Sequence, residues 1–432
     1  MDKPIEFQVG ELPDHGYVTR RHDFYNPLEN FLIERGLSNE LILIPVLKAH
    51  RGPNGGLVLT QKYLDGAVEY AKHWDGPVTT LAEVSQTPST DMDHVEVQAD
   101  CDAQHRIEEQ PKTLDTLISR LQNAGAVVGF LDPSQGAMTR QCFQLGVPVI
   151  HVCEYTLKTE FQIIDASPVN PLIKLRRKIW IRNAERTRRA LLGSLAGLQC
   201  NGVPVFEAYK PERPDAFLFF DNRVRKADVA SDQDLERRAA RLKKGERLRL
   251  LFGGRFVPMK GTRYLPLVAH ELVKKCVDFQ FDIYGSGPER GQLVDAIRKL
   301  KLEDRVTVHP PVDFMSEWVP LLKNAPDLFV SCHPQGDPSS TYSEVMSCGL
   351  PIVGFDNEAF KGIVAHSRSG FLTPLGDTEK LADQIAKLDQ HREVLTQAAR
   401  RGRDFMRSHC FEETFARRTA HFSKAAETRR RN

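Results

Sequence analysis

The 432-residue sequence has few of the features that decide a protein's class at once. Its eight cysteines are scattered with no Cys-x-x-Cys pair among them. That argues against a disulfide framework and a zinc ribbon. Most sit in apolar runs such as Val149-Ile150-His151-Val152-Cys153, as core thiols of a reducing compartment do. No run approaches the ~20 apolar residues that span a bilayer. Met1-Asp2-Lys3-Pro4-Ile5-Glu6-Phe7 lacks the charged-then-apolar pattern of a secretory signal. Charge excess is missing too: 59 Lys and Arg against 57 Asp and Glu leave +2, which speaks against a general nucleic-acid binder. There is no short-period repeat and no low-complexity tract. The expectation is a cytoplasmic chain, at most peripheral on the inner face of the cell membrane.

What is present points to an enzyme-sized globular protein. With 41% hydrophobic and 27% charged residues the chain can bury a full core, and its length exceeds one ordinary core, so two domains are expected. Short apolar runs alternate with amphipathic stretches. In the first half, a helix is expected over 27–36, a strand over Leu41–Leu47, a glycine loop at Gly52 to Gly56 and a helix over Leu57–Trp74. A helix over Leu114–Ala124 and strands over Ala126–Leu131, Val147–Cys153, Leu198–Cys200 and Ala216–Phe220 follow. From Arg223 to Glu246 the chain is polar and has no strand pattern. A second series then runs through strands Leu248–Phe252, Phe279–Tyr284, Val306–His309, Leu328–Ser331 and Pro351–Phe355. Helices Leu265–Val277, Glu289–Leu300, Met315–Asn324 and Thr341–Cys348 separate them. Near-continuous apolar strands between helices indicate parallel sheets covered on both faces. The expected architecture is α/β: two Rossmann-like, doubly wound domains facing across a cleft. Their expected limits are 1–222 and 223–405, with a helical tail over 406–432 returning to the first domain. Ligands bind such sheets at the carboxyl ends of the strands.

Three segments of the second half carry the chemistry. Phe252-Gly253-Gly254-Arg255 ends a strand, and Lys260 follows five residues after the Arg. Glycines admit a ligand close to the backbone, Arg offers a planar fork to phosphate and Lys a point charge. Tyr284-Gly285-Ser286-Gly287-Pro288 runs from a strand into a helix and reads first as a tight turn. It lacks the third glycine of a dinucleotide fingerprint. Ser331 to Pro351 takes a strand end through a small polar loop to a helix starting near Ser339–Thr341, whose free N–H groups favour an anion. Glu344 falls about one turn into that helix, where it either serves the helix dipole or accepts from a ribose diol.

In this order and spacing, these segments resemble the retaining glycosyltransferases of family 4 (group 1), which have the GT-B fold. The resemblance covers about Arg247 to Leu388. It includes Gly254-Arg255, Lys260-Gly261, Asp304-Arg305-Val306, Glu344 to Val353 and Gly370 to Asp377. It implies a hexosyltransferase that moves a sugar from a nucleotide-diphosphate donor, UDP- or GDP-linked, to a glycan or lipid-linked acceptor in cell-surface polysaccharide biosynthesis. By the resemblance, Gly254, Arg255 and Lys260 hold the diphosphate, Ser339, Ser340 and Thr341 the distal phosphate, and Glu344 the ribose. Gly55 and Gly56 would face the donor from the first domain. No metal and no cofactor beyond the donor substrate are implied, since the cations and the helix start supply the positive charge. The family's first glutamate would fall at Gly336, so Asp337 takes that role against the donor sugar or the sugar is held differently. Glu154, or the neighbouring His151, stands where the family places a histidine near the transferred sugar.

Other readings remain beside this one. A non-catalytic GT-B subunit supporting a partner transferase fits the missing glutamate, and a nucleotide-sugar epimerase shares the architecture. Asp91-Met92-Asp93 has an Asp-x-Asp form but does not end an apolar strand. From Lys174 to Arg189 eight cations are interleaved with Leu172, Ile173, Leu175, Ile179, Trp180 and Ile181, against the single acid Glu185. On a helix this is either a solvated basic face or an element that lies on an anionic membrane.

Overall fold

The computed structural model describes residues 38–87, 93–98 and 105–431. The helix expected over 27–36 and residues Asp91 and Met92 lie outside them. In chain order the strands are β1 (Leu41–Leu43), β2 (Ala49–Arg51), β3 (Leu57–Thr60), β4 (Val78–Ala82), β5 (Val84–Ser85), β6 (His94–Val97), β7 (His105–Glu109), β8 (Ala126–Phe130), β9 (Val149–Cys153), β10 (Gly197–Asn201) and β11 (Phe217–Phe219). The second half adds β12 (Leu248–Gly253), β13 (Phe279–Tyr284), β14 (Val306–His309), β15 (Leu328–Ser331), β16 (Ile352–Phe355) and β17 (Phe371–Thr373). The helices up to the middle of the chain are α1 (Gln61–His73), α2 (Leu114–Leu121), α3 (Gly136–Gln144), α4 (Leu157–Ala166), α5 (Pro171–Leu191), α6 (Val203–Tyr209) and α7 (Asp232–Lys243). They continue with α8 (Leu265–Lys274), α9 (Arg290–Lys299), α10 (Val319–Asn324), α11 (Ser340–Ser347), α12 (Glu358–Ser367), α13 (Thr378–Gln390), α14 (Arg392–Arg407) and α15 (Phe411–Arg431).

Two parallel sheets carry the molecule. The first has the order β11-β10-β9-β8-β1-β4-β7 and the second β14-β13-β12-β15-β16-β17. Every neighbouring pair in both sheets is parallel. Buried apolar strands explain this: Leu328-Phe329-Val330-Ser331 is buried at each position, so both faces must be covered by helices. Local signals start those helices. The Thr60, Thr113 and Thr156 hydroxyls cap α1, α2 and α4, and Asn170 caps α5 ahead of Pro171. Ser231 and Asp234 form a reciprocal capping box on α7.

The first half departs from the sequence reading around its glycine loop. Instead of strand, loop and helix, His50 to Thr60 forms a hairpin of β2 and β3. It belongs to a small mixed sheet of order β5-β2-β3-β6 in which β3 pairs antiparallel with both β2 and β6. The helix expected from Leu57 begins only at Gln61. The strand expected over Leu41–Leu47 ends at Leu43.

The chain passes between the two sheets twice. Phe220 and Val224 join the core of the second sheet, together with Met406 from the end of α14. Beyond that point α15 lies against the first sheet, where Phe411, Phe415 and Phe422 pack with Leu41, Val128 and Ile150. At the crossing, the buried Asn222 side chain donates to Ser347 Oγ and to the His409 carbonyl, each at 2.9 Å. It thereby ties one crossing to the other.

Candidate active site

A cavity of about 330 Å³ opens at the carboxyl ends of the second sheet. Its lining includes Gly254, Arg255, Lys260, Ser339, Ser340, Thr341 and Glu344. Every residue that the second-half motifs proposed for donor binding therefore lines one space. β12 delivers Gly253 and Gly254 to its floor, and the turn after it brings Lys260 inward to a buried position. That turn depends on Gly261, which adopts a left-handed conformation (φ 69°). A Cβ there would lie 1.9 Å from the Cys332 carbonyl oxygen, so no side chain fits without moving the backbone. The Gly285 turn supports this loop from behind. A Cβ on Gly285 would stand 2.0 Å from the Gly254 carbonyl oxygen. The two glycine segments thus brace each other, and Gly285 and Ser286 also line the cavity.

The charges are arranged as follows. Arg255 is exposed at the rim and makes no ion pair among the described residues. Lys260 Nζ stands 2.7 Å from Asp337 Oδ2 and donates to Ser339 Oγ at 3.0 Å. Burial would raise the Asp337 carboxyl, but Lys260 outweighs it and holds that carboxyl below the usual aspartate range. Ser339 precedes α11 without capping it through its side chain, and Ser340 and Thr341 at the helix start line the cavity. Burial pushes the Glu344 carboxyl up, against the pull of Lys62 and Arg223 and a hydrogen bond from Ser340. Two cations and a bare helix start around one cavity suit a doubly charged anion. A carboxylate one turn into the helix suits a neighbouring diol. Tyr284, Phe314 and Trp318 wall the far side, with Tyr284 stacked on His309 at 4.3 Å.

A second cavity, of about 230 Å³, lies in the first domain and shares Lys62 with the first. Glu154, Asn201, Asp221 and Arg418 supply its polar groups, while Tyr63, Phe130 and Phe219 are among its apolar walls. Lys62 pairs with Asp221. Burial raises the Glu154 carboxyl and Asp221 raises it further, while Lys62 and a 3.3 Å hydrogen bond from Asn201 oppose. The structure thus puts Glu154 at this cavity and Asp337 beside Lys260.

Gly55 and Gly56 line neither cavity. Their loop is filled by the chain's own carboxylate, for Glu96 Oε1 accepts from the Asn54 and Gly56 N–H groups at 3.0 and 2.9 Å. His151 is also out of reach of a ligand. It is fully buried, its Nε2 lies 3.1 Å from Thr139 Oγ1, and burial drives its pKa down to about 3. The sequence reading missed Lys62, Tyr155, Asp221 and Arg223. Asp221-Asn222-Arg223 had a usable signal, a charged cluster directly after an apolar strand. Lys62 and Tyr155 had none.

Residues 233–405 match the family described as glycosyl transferases, group 1. Over that stretch the chain is similar to the group 1 glycosyl transferases. Among curated relatives, the alpha-D-kanosaminyltransferase of Streptomyces kanamyceticus is 31% identical over 167 residues, 38% of this chain and 42% of that protein. The chain spans less than half the length of each of the four curated relatives it matches. Solved structures align over more of it. Sucrose-phosphate synthase from Thermosynechococcus elongatus aligns over 90% of this chain and 99% of its own, at 15% identity and a TM-score of 0.59. Anabaena HepE in complex with UDP aligns over 88% and 98%, at 13% identity and a TM-score of 0.60. The fold is GT-B, and the cavity that gathers Arg255, Lys260 and Glu344 is lined from within the matched residues 233–405, apart from Lys62 and Arg223.

Proposed function

We propose that the protein transfers a sugar from a nucleotide-diphosphate donor to a glycan or lipid-linked acceptor, with retention and without a metal. The supporting observation is the single cavity in which Arg255, Lys260, the start of α11 and Glu344 converge. The two cations and the helix start stabilise the departing diphosphate, the work a divalent ion does in other transferases. Glu344 accepts from the ribose hydroxyls. The aromatic wall of Tyr284, Phe314 and Trp318 receives the base. The second cavity, which meets the first at Lys62, holds the acceptor, with Glu154 and Asp221 at its polar end. The solved HepE structure contains UDP, and the kanosaminyltransferase is named for sugar transfer, which agrees with this reading. A UDP- or GDP-sugar is the expected donor, and cell-surface polysaccharide synthesis the expected setting.

Thermal unfolding with UDP, GDP, ADP, dTDP and CMP tests this, on the wild type and on Lys260→Ala and Glu344→Ala. One nucleoside diphosphate at ~100 times its Kd should stabilise the wild type by about 2.7 kcal/mol. Both variants should lose most of that shift. A wild type that responds to none of them is not a nucleotide-sugar enzyme of this kind.

The same proposal places the protein on an anionic membrane surface through α5. Its first half stands in solvent, with Leu172 75% and Trp180 62% exposed. Leu172, Leu175 and Ile179 are spaced to form one stripe, and Ile173 and Trp180 lie together to one side of it, both exposed. The packed residues Ile181, Ala184, Arg188 and Leu191 occupy the opposite side. The apolar stripe therefore points away from the protein. Co-sedimentation with anionic vesicles tests the placement.

A further inference from the structure

The donor site of the ligand-free protein is not an open pair of cations, because one of its two cations is already neutralised from within. Lys260 Nζ is 2.7 Å from Asp337 Oδ2, and both side chains are buried. The left-handed Gly261 turn, packed on the Cys332 carbonyl, fixes where the backbone of the lysine runs. The aspartate has more freedom. Its other carboxylate oxygen receives only a long 3.5 Å hydrogen bond from the Tyr155 hydroxyl.

The loop that carries Asp337 has an unspent hydrogen-bonding capacity. The Gln335 amide beside it is buried, and neither its Nε2 nor its Oε1 has a partner. A buried polar group without a partner is costly, so this loop arrangement leaves something for a second arrangement to gain. The loop also reaches the first domain. Gln162 Oε1 on α4 accepts from the Gly336 N–H at 3.0 Å, and the Thr159 hydroxyl donates to the Gly336 carbonyl at 3.4 Å.

We propose that Asp337 is a resident counter-anion of the diphosphate site, which an incoming nucleoside diphosphate must displace from Lys260. Exchange of one anion for another at a buried lysine keeps its charge matched in both states, so the lysine is never left bare in a low-dielectric setting. Displacement frees Asp337 Oδ2 at the edge of the cavity that receives the donor, where a sugar hydroxyl can donate to it. Asp337 thus acts on diphosphate binding through Lys260 and, once displaced, on the donor sugar. The proposal rests on the donor reading above and adds a direction to it: the aspartate opposes nucleotide binding.

That sign is the test, because damage to a structural carboxylate weakens binding and removal of a competitor strengthens it. Calorimetric titration of the stabilising nucleoside diphosphate, and of its phosphate-free nucleoside, is made on the wild type, D337N and D337E. D337N should bind the diphosphate about tenfold more tightly than the wild type, with nucleoside affinity unchanged. D337E, which keeps a carboxylate, should return toward wild-type affinity. Sugar transfer at saturating donor should fall in D337N even as affinity rises. If D337N shows no melting transition, D337S replaces it in the same comparison. A folded variant that binds the diphosphate as the wild type does, or more weakly, overturns the counter-anion role while leaving the donor site standing. Absence of diphosphate binding to both wild type and variant overturns the donor reading itself.

Discussion

At the scale of single residues, Glu154 shows how position rather than residue type sets chemistry. It follows β9 directly, and in the sequence it looks like any strand-end carboxylate. The fold puts it at the second cavity near Asp221 and Lys62, where burial and the neighbouring carboxylate raise its pKa. A carboxyl whose folded pKa is raised binds more protons folded than unfolded. Stability therefore falls as pH rises from the unfolded value of about 4.3 through the folded one, and the penalty is complete above that. Glu154→Gln removes the ionisation. The variant should match the wild type near pH 4 and exceed it increasingly toward neutral pH, in melting temperatures measured across that range. A difference that stays flat with pH would mean that Glu154 titrates as an ordinary surface acid. Asp337 carries the opposite sign, since its lowered pKa contributes stability that is lost only as pH falls below the usual aspartate range.

At the scale of elements, legibility followed burial. Strands β13, β14 and β15 coincide with the expected ranges: β15 is a short apolar run buried at every position, while in β13 and β14 Phe279, Phe281, Ile283 and Val306 are buried between more exposed polar residues. The small sheet of β2, β3, β5 and β6 was invisible. Its members mix in polar residues, as in His94-Val95-Glu96-Val97, and β5 spans only Val84–Ser85. For the same reason the donor motifs were readable and the first-domain side of the cleft was not: the former are strand-end glycines and cations in one stretch of chain, while Lys62, Tyr155 and Asp221 converge from separate elements. In α5 the sequence showed the charge but not its distribution. Arg188 is buried and paired with Glu160, and Arg189 with Glu185 and Glu212, so these cations serve the fold. Arg176, Arg177 and Arg182 are exposed without an ion pair among the described residues. Near anionic lipid each such cation contributes about 1 kcal/mol, added to insertion of the outward apolar stripe. The wild type should sediment with phosphatidylglycerol vesicles at low salt and be released at high salt. The double variant L175E/W180E, changed where neither side chain packs on the body, should remain in the supernatant with its melting temperature unaltered. Equal sedimentation of both proteins would assign α5 to plain solvent exposure.

At the scale of the whole molecule, the chain ends its path on the domain where the described part began it. Helix α15 follows every element of the second sheet, yet it supplies Phe411, Phe415 and Phe422 to the core over the first. Arg418 from the same helix donates to Gln199 Oε1 at 2.8 Å and stacks over Phe219 at 4.0 Å, so its polar contacts also belong to the first domain. The first domain is therefore completed only after the second has been traversed, and its stability is a property of the whole chain. Phe422 is fully buried between Tyr70 and the sheet, and truncating such a ring costs about 3–5 kcal/mol. Phe422→Ala should lower stability by that amount in urea unfolding followed by circular dichroism. The side chains that would hold the diphosphate lie on the second domain, while Phe422 packs in the core over the first sheet, so nucleotide affinity of the folded variant should stay at the wild-type level. A loss below 1 kcal/mol would show that α15 covers the sheet without completing its core. A loss of nucleotide affinity in the still-folded variant would instead make α15 part of what holds the two domains in register around the donor.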